Sequence, residues 1–261
     1  MPIRLRALSR DEVRCLDVQA RDMLALPTSL LMENAGRGAA AWLAELVGAI
    51  PPHAGGRPFS LPLPNENGVI AYGPTLPKVL VLCGPGNNGG DGGVVARHLN
   101  AWGFPIRVIW YAHKAQLSDD AALQWMILDK SAIDQSLWLD EYPSDSEREF
   151  TTLANIIGSA EWLVDGLLGT GLSRAVDGGL RTVIELMNRS GKPIFALDLP
   201  SGLDADTGQP LGIAIRATAT ATFVAAKLGF NSPGVIDYTG EVAVIDIGLP
   251  RCLLKPFLEA Y

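Results

Sequence analysis

The chain has 261 residues, of which 48% are hydrophobic and 19% charged, and it carries a net charge of −7 at pH 7. This composition excludes an intrinsically disordered protein, and the acidic balance argues against a non-specific nucleic-acid binder, which needs a basic surface. No apolar run approaches the roughly 20 residues of a membrane span, and the first residues lack the apolar core of a signal peptide, so we expect a cytoplasmic protein. The three cysteines have neither metal-ligand nor disulfide spacing.

Two helices are predicted at the start of the chain. Ser9 and Glu12 have the spacing of a capping box, in which each side chain accepts a hydrogen bond from the other residue's backbone N–H. Pro27 ends this helix, and Thr28 is predicted to cap a second helix that runs to about residue 49. Residues 51–77 are rich in proline and glycine and lack periodicity, which indicates an irregular surface insertion.

From residue 78 onward, predicted strands and helices alternate. The strands are 78–83, 105–111, one that ends at 163–165, 193–199, 218–225 and 241–247, and the helices are 92–102, 118–128, 146–157 and 179–189. This alternation predicts a mostly parallel sheet covered by helices on both faces. Ligands of such sheets bind beyond the carboxyl ends of the strands, where three unusual motifs fall.

The first motif is the glycine-rich run at residues 83–93, which also carries Asn87, Asn88 and Asp91. Its glycines match the G-x-G-x-x-G pattern between a strand and a helix, where the backbone can approach a phosphate and the helix N-terminus supplies N–H donors. The next strand ends at residues 110–114 without the carboxylate that dinucleotide-binding folds place there for a ribose. The alternative is a plain turn in which Asp91 caps the helix. The matching glycines are Gly84, Gly86 and Gly89.

The second motif, at residues 164–174, ends a strand with Asp165 and continues with a Gly-Thr-Gly turn and Arg174. A lone aspartate in this position is most often a turn former. A second glycine turn with hydroxyls and an arginine at the same sheet edge instead favours another anion-binding surface.

The third motif, at residues 196–208, places Asp198 at the end of an apolar strand. The proline two positions later disfavours a helix, so the strand must leave the sheet abruptly and project Asp198 at its edge. We expect apolar surroundings, and hence a raised pKa, for this carboxylate, which suits acid–base catalysis near neutrality. Asp204 and Asp206 are interpreted as solvated turn residues.

At these motifs the chain resembles the YjeF N-terminal domain family, the NAD(P)H-hydrate epimerases. The resemblance begins at SRDEVRCLD and LMENAGRGAA, continues through GPGNNGGDG, VDGLLGTGLSR and DLPSGLDADTG, and ends at FVAAKLGF and GEVAVIDIGLP. It implies a Rossmann-like three-layer α/β/α sandwich in one domain, residues 1–261, that forms a homodimer and interconverts the R and S hydrates of NADH and NADPH (NADHX and NADPHX). We expect a stand-alone epimerase that works with a separate NAD(P)H-hydrate dehydratase.

The resemblance also implies roles by position. A potassium ion would take ligand oxygens from Asn88, Asp165 and Ser201, and the reacting end of the substrate would contact Asp198, the candidate catalytic group. Should Asp198 be structural, Asp91 and Asp165 are the alternatives, and the second acid–base group that inversion requires is not identified. The implied substrate contacts, besides Asp198, are Asn87, Asn88, Gly89, Gly90, Asp91, Gly169, Thr170, Gly171, Leu172, Ser173, Arg174 and Ala175.

Two other classes of protein compete with this interpretation. A nicotinamide-dependent dehydrogenase is disfavoured by the missing carboxylate after the second strand and by the lack of a separate substrate domain. A non-catalytic interaction module could share the fold without needing the site residues. The presence of Asn88, Asp165 and Asp198 together favours an enzyme.

Overall fold

The computed structural model describes residues 3–49, 76–142 and 147–260. The predicted insertion at 51–77 therefore lies outside the described residues, except for its last two positions. The strands are β1 (Ile3–Leu5), β2 (Val79–Cys83), β3 (Ile106–Trp110), β4 (Gln135–Leu137), β5 (Trp162–Gly166), β6 (Ile194–Leu197), β7 (Ala219–Phe223), β8 (Glu241–Ile245) and β9 (Leu258–Ala260). The α-helices are α1 (Arg10–Leu24), α2 (Thr28–Leu46), α3 (Asn87–Ala101), α4 (Asp119–Lys130), α5 (Trp138–Glu141), α6 (Glu147–Ser159), α7 (Gly178–Arg189), α8 (Ile236–Thr239) and α9 (Arg251–Leu254).

Strands β2 to β8 form one sheet in the order β4-β3-β2-β5-β6-β7-β8, and all neighbours are parallel. Within this sheet the first strand along the chain is β2, and β3 and β4 follow on one side of it. The chain then crosses to the other side of β2, where β5 to β8 follow in order. Strands β2 and β5 are therefore neighbours from which the chain continues in opposite directions. The space beyond their carboxyl ends is the topological switch point, where open α/β sheets bind ligands.

Apolar layers cover both faces of the sheet, as the alternation of side chains along β2 demonstrates. Val81 and Cys83 pack with residues of α1 to α4, whereas Leu80 and Leu82 pack with residues of α6 and α7. Burial on both faces explains why the strands are continuous apolar runs. The predicted three-layer α/β/α sandwich with a mostly parallel sheet is confirmed.

The two N-terminal helices are present, with one correction. The predicted capping box is confirmed, since Ser9 Oγ accepts from the backbone N–H of Glu12 and Ser9 N–H donates to Glu12 Oε2 at 2.9 Å. The prediction that Thr28 caps α2 is wrong: Pro27 occupies the cap position without a side-chain acceptor, and Thr28 is the first helical residue. Among the described helices, none is long and apolar enough to cross a membrane.

Candidate active site

A cavity of about 530 Å³ lies at the switch point, beyond the carboxyl ends of β2, β5, β6 and β7. Its walls come from α1 and the start of α2, from the turn between β2 and α3, from the loop after β5, and from the residues that follow β6 and β7. Its volume lies within the range of small-molecule sites. All three sequence motifs contribute residues to this cavity.

The glycine-rich turn forms the N-terminus of α3, which begins at Asn87 and not near residue 92 as predicted. The first N–H groups of the helix have no acceptors within it, so they can bind an anion. Two glycines are required by packing: a Cβ on Gly84 would lie 1.8 Å from Leu167 O, and one on Gly89 would lie 1.9 Å from Gly84 O. Gly86 differs, because a Cβ there meets nothing within 4 Å and the residue lines the cavity.

Strands β6 and β7 both end in tight turns at the cavity. Asp198 follows β6 with a φ of +61°, and Val224 follows β7 with a φ of +68°. At each turn the N–H of the next residue donates to the carbonyl of the preceding residue, at 2.7 Å around Asp198 and 2.8 Å around Val224. Positive φ is strained for a β-branched residue such as Val224, and strain of this kind concentrates at functional sites.

The buried Lys227 joins these two turns. Its Nζ lies 2.6 Å from Asp198 Oδ1 and donates to Thr222 Oγ1, Phe223 O and Ala225 O at 2.9, 3.0 and 3.3 Å. A fully buried ammonium is tolerated because it is paired and hydrogen-bonded. The expectation of apolar surroundings for Asp198 is therefore wrong, since a lysine is its nearest charged neighbour.

Two other carboxyl groups face the same cavity. Burial, reinforced by the charges of Asp198 and Asp17, raises the pKa of Asp91 well above its usual value. Asp17, on α1, lines the open cavity and keeps contact with solvent. Partial desolvation by the cavity walls is the main cause that raises the pKa of Asp17 to about 6, and the negative charge of Asp198 is the second cause. The site therefore combines an ion pair with two carboxyls that hold protons more tightly than usual.

Asp165 and Ser201 lie behind this surface and hydrogen-bond directly to each other. Ser201 N–H and Oγ donate to the Asp165 carboxylate at 2.7 and 2.6 Å, and Leu168 N–H donates to Ser201 Oγ at 2.8 Å. Asn88 Nδ2 donates to Leu168 O at 2.8 Å, while Asn88 Oδ1 is buried without a hydrogen-bond partner among the described residues. Burial raises the pKa of Asp165 to about 6.

The structure brings most of the predicted substrate-contact residues to the cavity, but not all. Gly89 and Gly90 pack inside α3, against Gly84 O and the Met32 side chain. Ala175 is exposed and outside the cavity lining. Those that do line it are Asn87, Asn88, Asp91, Gly169, Thr170, Gly171, Leu172, Ser173, Arg174 and Asp198.

Sequence reasoning missed Asp17 and Lys227. Asp17 stands four residues after the cavity-lining Val13, a spacing that places both on one face of α1. Lys227 was visible as a lone charge in an apolar run after a strand.

The interpretation of Asp204 as a turn residue is confirmed, because its Oδ1 accepts from the backbone N–H groups of Asp206 and Thr207. The expectation that it is solvated is wrong, because its side chain is largely buried and pairs with Arg10 of α1 at 2.5 Å.

Comparison with known proteins identifies the family to which the chain belongs. The family model described as YjeF-related protein N-terminus matches residues 28–229. NAD(P)H-hydrate epimerases of Rhodopirellula baltica and Pirellula staleyi are each 34% identical, over 98% and 96% of this chain and 89% and 96% of their own lengths. The bifunctional NAD(P)H-hydrate repair enzyme Nnr of Thermofilum pendens is 35% identical, and the match spans 94% of this chain but 40% of that enzyme.

A solved structure supports the fold independently. The crystal structure of yeast ynu0 superposes with a TM-score of 0.67 over 87% of this chain and 83% of the yeast chain, at 20% identity. Identity this low supports the fold alone, whereas the family match and the two epimerase relatives cover most of the sequence. The chain therefore belongs to the YjeF-related protein N-terminus family.

Proposed function

We propose that this protein is an NAD(P)H-hydrate epimerase, which interconverts the R and S forms of hydrated NADH and NADPH for repair of these cofactors. Relatives that match nearly end to end carry that name. The observation that carries the proposal is that Asp198 and the N-terminus of α3 open into the same cavity. Asp198 suits acid–base chemistry at a nicotinamide hydrate, and the N-terminus of α3 suits the anionic part of a dinucleotide.

The chemistry requires proton transfer at one ring carbon. Hydrated NADH carries a hydroxyl on a carbon next to the ring nitrogen, and protonation lets that hydroxyl leave as water while the nitrogen stabilises the cation. Water that returns to the opposite face gives the other epimer. In the proposed reaction Asp198 exchanges a proton with the hydroxyl, and Lys227, whose Nζ lies 2.6 Å from Asp198 Oδ1, holds the carboxylate in position. Arg14 and Arg174, which line the cavity, are available to the phosphates.

A potassium ion fits the residues implied for it. The buried Asn88 Oδ1 has no hydrogen-bond partner among the described residues, and the fully buried Asp165 has no cation paired with it there. These hard oxygens, with Ser201 Oγ and neighbouring carbonyls, suit an alkali cation, which would offset the Asp165 charge and hold the loop after β5. No cluster of three His, Cys, Asp or Glu side chains that could hold a metal ion occurs in the described residues.

The alternative of a nicotinamide-dependent dehydrogenase gains no support at the end of β3. His113, which follows this strand, pairs its Nδ1 with Asp140 at 2.8 Å, and neither residue lines the cavity. The dinucleotide-binding carboxylate expected after the second strand is therefore missing from the cavity wall.

We extend the proposal to a cytoplasmic homodimer in one domain, acting beside a separate NAD(P)H-hydrate dehydratase.

The test is an epimer-interconversion assay on the purified R hydrates of NADH and NADPH. The two epimers are separated by chromatography after incubation with and without the protein. Epimerisation also proceeds without enzyme, so the buffer rate is subtracted. We expect the protein to accelerate interconversion of at least one hydrate, and an unchanged rate for both would contradict the proposal. Incubation with NADH or NAD and candidate substrates should give no hydride transfer.

A further inference from the structure

We infer that Asp17 of α1 is the second catalytic acid–base group, which acts on the face of the nicotinamide ring turned away from Asp198. This inference rests on the proposed epimerase function. Inversion at one carbon requires water to leave from one face and to enter from the other, so two groups on different walls are needed. Asp198 belongs to the sheet edge after β6, whereas Asp17 belongs to a helix outside the sheet, and both line the cavity.

Helix α1 is held at two points that fix the position of Asp17. At its start, Arg10 pairs with Asp204 at 2.5 Å, and its N–H donates to Asp206 Oδ1 at 2.8 Å. One turn later, Arg14 donates to Gly171 O at 3.4 Å, in the loop after β5. Two motifs of the cavity rim thus anchor the helix that carries Asp17.

Asp17 has the properties of a functional carboxylate and not of a structural one. It forms no hydrogen bond or ion pair within the described part of the chain, although it interacts electrostatically with Asp198 and Lys227. Exposure to the cavity and a pKa raised to about 6 allow it to accept and return a proton near neutrality. Asp91 is less suitable as a base, because its side chain is buried, and burial with its acidic neighbours raises the pKa of the carboxyl well above its usual value.

The proton balance requires one proton shared by the two carboxyl groups. In one direction the protonated carboxyl gives its proton to the hydroxyl, the C–O bond breaks with its electron pair, and the ring nitrogen lone pair forms the C=N⁺ bond. Water then attacks the other face, the C=N⁺ electrons return to nitrogen, and the second carboxylate takes the water proton. In the reverse direction the two groups exchange roles, so neither an oxidant nor a reductant is needed.

The test compares Asp17→Asn with Asp22→Asn in the epimer-interconversion assay. Asp22 lies on the same helix, outside the cavity, and pairs with its exposed neighbour Arg21. We expect Asp17→Asn to lower kcat by about 100- to 10,000-fold, with a thermal stability equal to or slightly above that of the wild type and unchanged affinity for NADH used as a stable probe. We expect Asp22→Asn to match the wild type.

Three results would overturn the inference. Asp17→Asn could retain more than half of the wild-type kcat. It could lose NADH affinity in step with activity, which would make Asp17 a binding contact. A wild-type protein that does not epimerise either hydrate would remove the proposed function and the role of Asp17 together, and this outcome is recognised before any variant is made.

Discussion

The Asp198–Lys227 pair determines how Asp198 must be tested. Asp198→Asn keeps the size of the side chain but leaves the fully buried Lys227 without a counter-charge. Breaking a buried pair in this way costs about 3–5 kcal/mol of folding free energy, in addition to the loss of acid–base function. We expect urea unfolding of Asp198→Asn at a lower midpoint, and a turnover about 100- to 10,000-fold lower.

The double variant Asp198→Asn with Lys227→Met separates these two effects. Removal of the ammonium removes the unpaired charge, so the double variant should recover much of the lost stability and stay inactive. An active double variant would show that Asp198 is a structural carboxylate. A wild-type unfolding midpoint for the single variant would show that the ion pair contributes nothing to folding.

The raised pKa of Asp17 predicts a pH-dependent change in stability. Its folded-state pKa of about 6 lies above the ordinary value of 3.8, so the folded state binds the proton more tightly than the unfolded chain. The resulting stabilisation is complete below about pH 4 and is lost as the pH rises to about 6, so ionised Asp17 destabilises the fold at pH 7.

Asp17→Asn should therefore gain stability relative to the wild type between about pH 4 and pH 6, by no more than about 1 kcal/mol because solvent in the cavity screens the charge. Chemical denaturation of both proteins across this range gives the difference. The other carboxyls with raised pKa values, Asp91, Asp120 and Asp165, are common to both proteins, so their contributions largely cancel. A difference that is constant with pH would contradict the raised pKa.

The sequence predicts the location of a side chain when the topology of the sheet determines it. It does not predict the charged surroundings of that side chain when residues distant in sequence determine them. The carboxyl end of an apolar strand places Asp198 at the cavity by topology alone. Its partner Lys227 lies 29 positions later and reaches it through the adjacent strand β7, a contact that no local pattern encodes. The surroundings of Asp198 were therefore predicted incorrectly although its position was predicted correctly.

At the scale of elements, the glycines around the N-terminus of α3 are of two kinds. Gly84 and Gly89 are required by packing, whereas Gly86 lines the cavity and has room for a side chain. Gly86→Ala should fold normally, because its φ is −91° and a Cβ there has free space. Gly86→Leu should also fold, but its side chain would project where the backbone must approach an anion, so NADH affinity should fall by about tenfold or more. Titration of fluorescence by NADH measures this.

Gly89→Ala is the matched control for folding. Its Cβ would lie 1.9 Å from Gly84 O, so this variant should lose stability or fail to fold, in contrast to Gly86→Ala. Unchanged NADH affinity in a folded Gly86→Leu would place the ligand elsewhere.

The start of α3 shows the limit of local sequence patterns at the scale of elements. Five glycines in an eight-residue run resemble a loop, so the helix was wrongly predicted to begin near residue 92. In the structure some of these glycines pack closely against β2 and α2, and the helix begins at Asn87. Helix propensity alone does not reveal that packing.

At the scale of the molecule, the potassium proposal predicts a stability that depends on the cation. An ion that binds the folded state raises the melting temperature with its concentration. We expect KCl to raise the Tm more than choline chloride at equal ionic strength, by a few degrees. Asn88→Ala removes the unpaired amide oxygen and should abolish the difference between the salts. Equal melting temperatures in both salts would contradict a potassium site.

The central claim is that the switch-point cavity inverts the hydrate carbon through loss and return of water. The most direct measurement starts from the pure S hydrate of NADH in ¹⁸O-labelled water, and follows both the appearance of the R hydrate and its oxygen label. The account predicts R hydrate that forms well above the buffer rate and carries ¹⁸O from the solvent. Formation of the R hydrate at the buffer rate would contradict the account. Inversion that the enzyme accelerates but that keeps the original oxygen, although the cavity is open to labelled solvent, would contradict it as well.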